Sequence, residues 1–233
     1  MSSSKRQKIE KFFKFSSDSE NCTVCIPEVL DGNYGMYVWP CSPVLAQYIW
    51  YHRASLKGKT ILEIGAGTSL PGIVAAKCEA TVILSDSSEY PQCLANCAAS
   101  CEANNLSNIP VVGIKWGQFT PELLNLQPVD IILGSDCFFD TKDFEDIIVT
   151  VAFIMKKRPS TEFWCTYQER SSSRSIEYLL MKWGLESREI DLETFEADSP
   201  TLAGSALPGN HTIHMYIMKK KNQLTARFII LHK

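Results

Sequence analysis

The sequence predicts an α/β fold in which a mostly parallel sheet carries helices on both faces. Short apolar runs bounded by turn residues recur along the chain and alternate with segments of helical period, the pattern of strand–helix–strand units. Between Thr60 and Gly72, an apolar strand (Thr60-Ile61-Leu62-Glu63-Ile64) runs into the turn Gly65-Ala66-Gly67 and then into a helix. That unit opens a Rossmann-like nucleotide-binding half. Gly65 and Gly67 let the backbone turn sharply and come close to a ligand, and Pro71 suits the first turn of the helix that follows.

At 233 residues and 45% apolar, the chain is long enough for one sizeable core. Residues 31–219 are expected to form that domain, flanked by a flexible basic tail over 1–30 and a C-terminal tail over 220–233. A net charge of −3 gives no global pull toward nucleic acid or anionic membrane, so neither is expected as a partner. The apolar runs fall short of a membrane span. The opening residues lack the apolar region of a secretory signal, so the nine cysteines read as reduced thiols of a cytosolic or nuclear protein.

Lys5, Arg6, Lys8, Lys11 and Lys14 make the first segment basic, compatible with nuclear entry or with a solvated tail. Ile9, Phe12 and Phe13 are spaced as one helical face, as in a short docking peptide. Cys22 and Cys25 are a lone close pair without the further ligands a structural zinc needs, and no metal is expected. Trp39, beside Pro40, reads either as a core plug or as a stacking residue at a ligand. A helix follows from Val44 to Tyr51, and a small-residue helix from Leu70 to Cys78. Ala80 to Asp86 is a buried strand, and the helix after it places Cys93, Cys97 and Cys101 on one core-facing stripe.

Strands are expected over Ile109–Trp116, Val129–Asp136, Thr161–Tyr167, Leu185–Phe195 and His211–Met218, with helices near 144–155 and 175–183. Ala197 to Asn210 reads as an open loop suited to a peptide partner, and His211 and His214 fall on opposite strand faces.

Ligands of such folds bind beyond the carboxyl ends of the strands. Glu63, Gly65, Gly67, Asp86, Trp116, Ser135 and Asp136 all belong to that edge and describe an adenosine site. Asp86 lies 23 positions after Glu63, near the ~20-residue spacing of a ribose-diol acceptor. A dehydrogenase fingerprint would need a third glycine where Leu70 stands. Glu63 would repel a pyrophosphate and attract a sulfonium and an ammonium, which favours S-adenosyl-L-methionine as cofactor.

Glu63-x-Gly65-x-Gly67-Thr-x-Leu-Pro71-Gly72, Val38-Trp39-Pro40, Asp86, Trp116-Gly117 and Ser135-Asp136-x-x-Phe139 together resemble the seven-β-strand methyltransferases of the methyltransferase-like "family 16" group, over roughly residues 30–219. The resemblance implies a seven-stranded sheet with an antiparallel last strand, supplied by His211–Met218. It also implies conversion of S-adenosyl-L-methionine to S-adenosyl-L-homocysteine, without a metal. Its cofactor residues carry over to Trp39, Gly65, Ala66, Gly67, Asp86, Trp116 and Ser135. The group's Asp-x-x-Tyr is Asp136-Cys137-Phe138-Phe139 here, so Phe139 offers an aromatic wall without a phenol.

Members of the group methylate protein side chains, many of them lysines on chaperones and translation factors, and the nearest named member is associated with arginine, including on histones. The expected activity is therefore protein N-methyl transfer, arginine on a histone ahead of lysine on a non-histone protein, in nucleus and cytoplasm with a role in chromatin. A non-catalytic cofactor-binding scaffold is the rival. For an arginine acceptor, carboxylates would grip the guanidinium, with Asp136 first and Asp140 and Glu169 behind it.

Overall fold

A computed structural model describes residues 8–29, 35–171, 174–206 and 212–221. Lys5, Arg6, His211 and the chain beyond Lys221 lie outside the described residues, as does the nuclear-address reading that uses the first two.

Two strands, β1 (Lys8–Ser16) and β2 (Asn21–Val29), form an antiparallel hairpin where a mobile tail was expected. Alternation is the reason. Phe13 and Phe15 on β1, and Cys22, Val24 and Ile26 on β2, point to one face and are buried, while Phe12 stands 56% exposed. The helical spacing of Ile9, Phe12 and Phe13 is thus coincidental to a two-residue period. An isolated hairpin is marginal in water, and this one is held by its apolar face joining the main core. Asn104 fastens β2, accepting from the Cys25 N–H at 3.1 Å and donating to the Cys25 carbonyl at 2.6 Å.

The main sheet contains β3 (Thr60–Glu63), β4 (Thr81–Asp86), β5 (Val111–Gly113), β6 (Ile131–Ser135), β7 (Glu162–Gln168), β8 (Leu185–Ile190) and β9 (Ile213–Lys220). Their order is β5-β4-β3-β6-β7-β9-β8. The first five run parallel, and β9 lies antiparallel between β7 and β8, which is the expected reversed last strand.

Successive residues of the central strands serve opposite faces. Ile61, Leu84, Leu133 and Trp164 pack with α1 (Cys41–Tyr51) and α2 (Leu70–Lys77), and α3 (Pro91–Ala103) buries Cys97 and Cys101 in the same cluster. Leu62, Ile83, Ile132 and Phe163 pack with α5 (Phe144–Lys157), α6 (Glu177–Trp183) and Leu123 of the short α4 (Pro121–Leu124). In α5 the apolar spacing of Phe144, Ile147, Ile148, Val151 and Met155 is reinforced by Glu145 and Asp146 in the first turn and Lys156 and Lys157 in the last, which complement the helix dipole. The expected strand over 185–195 is shorter, ending at Ile190 before a turn of 3₁₀ helix. The described part of the 197–210 loop is exposed over 198–201 but anchored: Ala197, Leu202 and Ala203 are buried in the core shared with the hairpin.

Chain order reverses between β3 and β6, so a crevice opens beyond their carboxyl ends.

Candidate active site

A cavity of about 790 Å³ occupies that crevice, within the range of small-molecule sites. The loops after β3, β4, β5, β6 and β7 line it, together with the segment entering α1. Among the residues expected from sequence, Trp39, Gly65, Ala66, Gly67, Asp86, Trp116, Ser135, Asp136 and Phe139 all reach the wall. Glu63 and Glu169 do not.

The glycine turn forms the floor. Gly65 and Gly67 both have positive φ, 57° and 50°. A Cβ on Gly65 would lie 2.8 Å from Cζ2 of Trp116, and one on Gly67 would lie 3.0 Å from Cα of Gly35. Backbone handedness and close packing both demand glycine at these two places. The Asp86 carboxylate braces the turn, accepting from the Gly67 N–H at 2.8 Å and the Ser87 N–H at 2.7 Å. Burial raises its pKa while those two bonds pull it down. A carboxylate has about four acceptor positions, so two bonds leave capacity for a diol.

Trp39 is set by the hairpin. Glu28 of β2 is buried, pairs with Lys11 at 2.8 Å, and accepts from the Val38 N–H at 2.8 Å. The adjoining Trp39 indole stands 4.8 Å, centroid to centroid, from Tyr37. Of its two sequence readings, the wall of a cavity is the one realised. Trp116 is anchored from the other side. The Gly117 N–H donates to Thr150 Oγ1 on α5 at 2.9 Å, and a Cβ on Gly117 would lie 2.4 Å from Asp146 Oδ1. Ser135, ending β6, keeps its Oγ buried and without a hydrogen-bond partner.

Glu63 departs most from expectation. It is buried beneath the turn, accepting from the Gly72 N–H at 2.9 Å. Desolvation, opposed by that bond and assisted by the Asp86 charge, lifts its pKa to about 8. Buried behind the cavity wall and absent from its lining, it does not present its carboxylate to a ligand there. Its work is to tie β3 to α2 through Gly72, where a Cβ would sit 2.4 Å from Leu84 Cδ2. Glu169 lies on the far rim of β7, its carboxylate 3.8 Å from His214.

Asp136 adopts a left-handed backbone (φ 55°) and is 6% exposed. Its carboxylate is held by both terminal nitrogens of Arg170, at 2.8 and 2.6 Å. Asp140 also lines the cavity and pairs with Lys142 at 3.0 Å, which holds its pKa down. Cys137 is a buried thiol whose pKa desolvation pushes well up, an inert wall and not a nucleophile. Sequence reading passed over Arg170 and Arg174, although both sit in the stretch that leaves β7. Only Glu169, a candidate carboxylate beside them, marks that place in the sequence. Asp146, also missed, is absorbed into the helical period of α5, and Asp143 stands just before that helix.

The donor set fits S-adenosyl-L-methionine: two glycines without Cβ atoms at the turn, a carboxylate with spare acceptor capacity at the end of β4, an indole face, and an orphaned hydroxyl on β6. Cavity and sheet order together define the class. Over residues 18–182 the chain matches the family described as "Lysine methyltransferase", and it belongs to that family. A solved S-adenosylmethionine-dependent methyltransferase from Aquifex aeolicus shares the fold, with a TM-score of 0.54 at 13% identity over 78% of this chain and 94% of that one.

Among individual relatives, the histone-arginine methyltransferase METTL23 of Xenopus laevis is 56% identical over 213 residues, spanning 90% of this chain and 91% of the relative. The Homo sapiens protein of that name is 57% identical over 183 residues, 78% of this chain and 96% of the relative. Protein N-lysine methyltransferase METTL21A of Danio rerio is 27% identical over 158 residues, 66% and 71% of the two chains. The chain is a methyltransferase.

Proposed function

We propose that this protein transfers a methyl group from S-adenosyl-L-methionine to an arginine side chain of a histone or another basic protein segment. The carrying observation is the pairing of an acid-rich cavity with relatives at 56–57% identity that are named histone-arginine methyltransferases. Six carboxylates line the cavity (Asp86, Glu89, Asp136, Asp140, Asp143 and Asp146) against four cations (Lys115, Lys142, Arg170 and Arg174). The surplus of negative charge suits both a cationic donor and a basic acceptor.

Bound cofactor supplies an activated methyl on a sulfonium. The chain's part is placement. Gly65, Ala66 and Gly67 would let the backbone approach the donor, Asp86 would accept from its ribose hydroxyls, Trp39 and Trp116 would wall it, and Ser135 would offer it a hydroxyl. Asp136 sits at the acceptor side, and Phe139 closes that side without a hydrogen-bonding group. Methylation at nitrogen forms the N–C bond, breaks the S–C bond and releases one proton from the acceptor, and the carboxylates at the mouth give that proton a route to solvent.

The more distant relative named as a protein N-lysine methyltransferase supports a second reading, a lysine acceptor, for which we propose a non-histone protein of the chaperone kind. We also propose residence in nucleus and cytoplasm, with the chromatin role that a histone substrate would imply. Incubation with labelled S-adenosyl-L-methionine and core histones, followed by hydrolysis to amino acids, separates the two. Label is expected in methyl-arginine; label in methyl-lysine alone would overturn the arginine assignment.

A further inference from the structure

The acceptor side of the cavity already holds a guanidinium. Arg170, two residues beyond the end of β7, forks onto Asp136: Nη1 meets Oδ1 at 2.8 Å and Nη2 meets Oδ2 at 2.6 Å. Nη1 also donates to the Gln168 carbonyl at 3.1 Å, and the Gln168 N–H donates to Asp136 Oδ1 at 3.3 Å. The pair is asymmetric in exposure: the Asp136 side chain is 5% exposed and that of Arg170 26%. The aspartate is fixed from below, its N–H bonded to the Thr166 carbonyl at 2.8 Å, whereas the arginine reaches in from a loop. Both residues line the cavity, beside Ser135 and Phe139.

A carboxylate so enclosed needs a counter-charge, and losing it leaves a buried charge uncompensated. The β7 loop supplies that counter-charge in the same bidentate geometry that a substrate arginine would offer. Exchanging one guanidinium for another leaves the charge and hydrogen bonds of Asp136 unchanged, while Arg170, already the more exposed partner, moves toward water. A lysine ammonium is a compact charge without the planar fork and cannot match both oxygens in this way.

We propose that Arg170 is an internal occupant of the acceptor seat, holding Asp136 until a substrate guanidinium displaces it, and that this exchange makes Asp136 selective for guanidinium over ammonium. The inference deepens the arginine reading above and rests on it. Arg170 is accordingly a specificity residue that competes with substrate, and the acceptor affinity of the wild-type chain is set by how readily it lets go.

The test uses the full chain saturated with S-adenosyl-L-homocysteine and reads binding of methylguanidinium and methylammonium by titration calorimetry or NMR, so no methyl transfer is involved. Arg170→Ala is expected to bind methylguanidinium about tenfold or more tightly than wild type, with methylammonium unchanged. Asp136→Asn added to that variant is expected to abolish the gain. Arg170→Lys keeps a positive charge beside Asp136 and protects folding should the alanine variant fail; it is expected to gain in the same direction. Equal methylguanidinium binding by wild type and both Arg170 variants overturns the proposal, as does a gain that survives Asp136→Asn. Because the readout is binding, such a result leaves the arginine reading standing. Histone label in lysine alone would remove that reading independently.

Discussion

Glu63 shows how a single residue's environment reverses its apparent role. On sequence it is an acid beside a glycine turn; in the fold it is a buried carboxyl with a pKa of about 8, bonded to the Gly72 N–H. Its ordinary pKa is 4.5, so the folded state binds its proton more tightly than the unfolded state does. The resulting stability is fully present below pH 4.5 and is lost as pH climbs to about 8. Glu63→Gln keeps the shape and the acceptor for Gly72 but cannot ionise. It should raise Tm relative to wild type at pH 8–9, by on the order of 2–4 kcal/mol in stability, and leave it nearly unchanged near pH 5. Thermal unfolding of both proteins across that range checks the sign. At Gly65, alanine would meet Trp116 at 2.8 Å in a backbone with φ of 57°. Gly65→Ala should weaken S-adenosyl-L-homocysteine binding about tenfold or more by calorimetry, at a stability cost of about 1–3 kcal/mol.

The hairpin is the element that sequence reading lost. Its strand period is hidden because Lys11 shares the face of Phe13 and Phe15 while Phe12 stands on the opposite one, and the charge density of the segment reads as a tail. What orders it is tertiary: Phe15 is 1% exposed, Val24 and Ile26 are fully buried, and Asn104 clamps β2 from α3. Phe15→Ala should therefore cost about 3–5 kcal/mol, while Phe12→Ala, on the solvent face, should stay within about 0.5 kcal/mol, as urea unfolding would show. Because Glu28 fixes Val38 beside Trp39, the Phe15 variant should also weaken cofactor binding although Phe15 does not line the cavity. By contrast, the central parallel strands are legible as unbroken apolar runs and α5 as an unmixed helical period, whereas the strand expected over Ile109–Trp116 is only Val111–Gly113. The strand ends foretold most of the cavity lining, since a parallel sheet gathers those ends on one edge. Arg170 was not legible, because nothing local reveals which strand-end cation folds back across the crevice.

At the scale of the whole molecule, the cavity draws on every parallel strand and on the hairpin-supported segment before α1, so its ligand should bind only when the full sheet is assembled. Such a ligand stabilises the native state by mass action. At a hundredfold excess over Kd, S-adenosyl-L-homocysteine should add ~2.7 kcal/mol, which for a chain of this size is roughly 5–10 °C in Tm. Two kinds of variant separate assembly from contact. Asp86→Asn changes a residue that both braces the glycine turn and faces the cavity, so it should shrink the ligand-induced shift at any given concentration. Ile147→Val, on the buried face of α5 and not in the cavity lining, should lower the ligand-free Tm by the equivalent of about 0.5–1.5 kcal/mol and keep the shift intact. Differential scanning calorimetry with and without S-adenosyl-L-homocysteine measures both. If Asp86→Asn kept the full shift, the edge of β4 would play no part in holding the cofactor, and the site would have to be sought nearer β6 and β7.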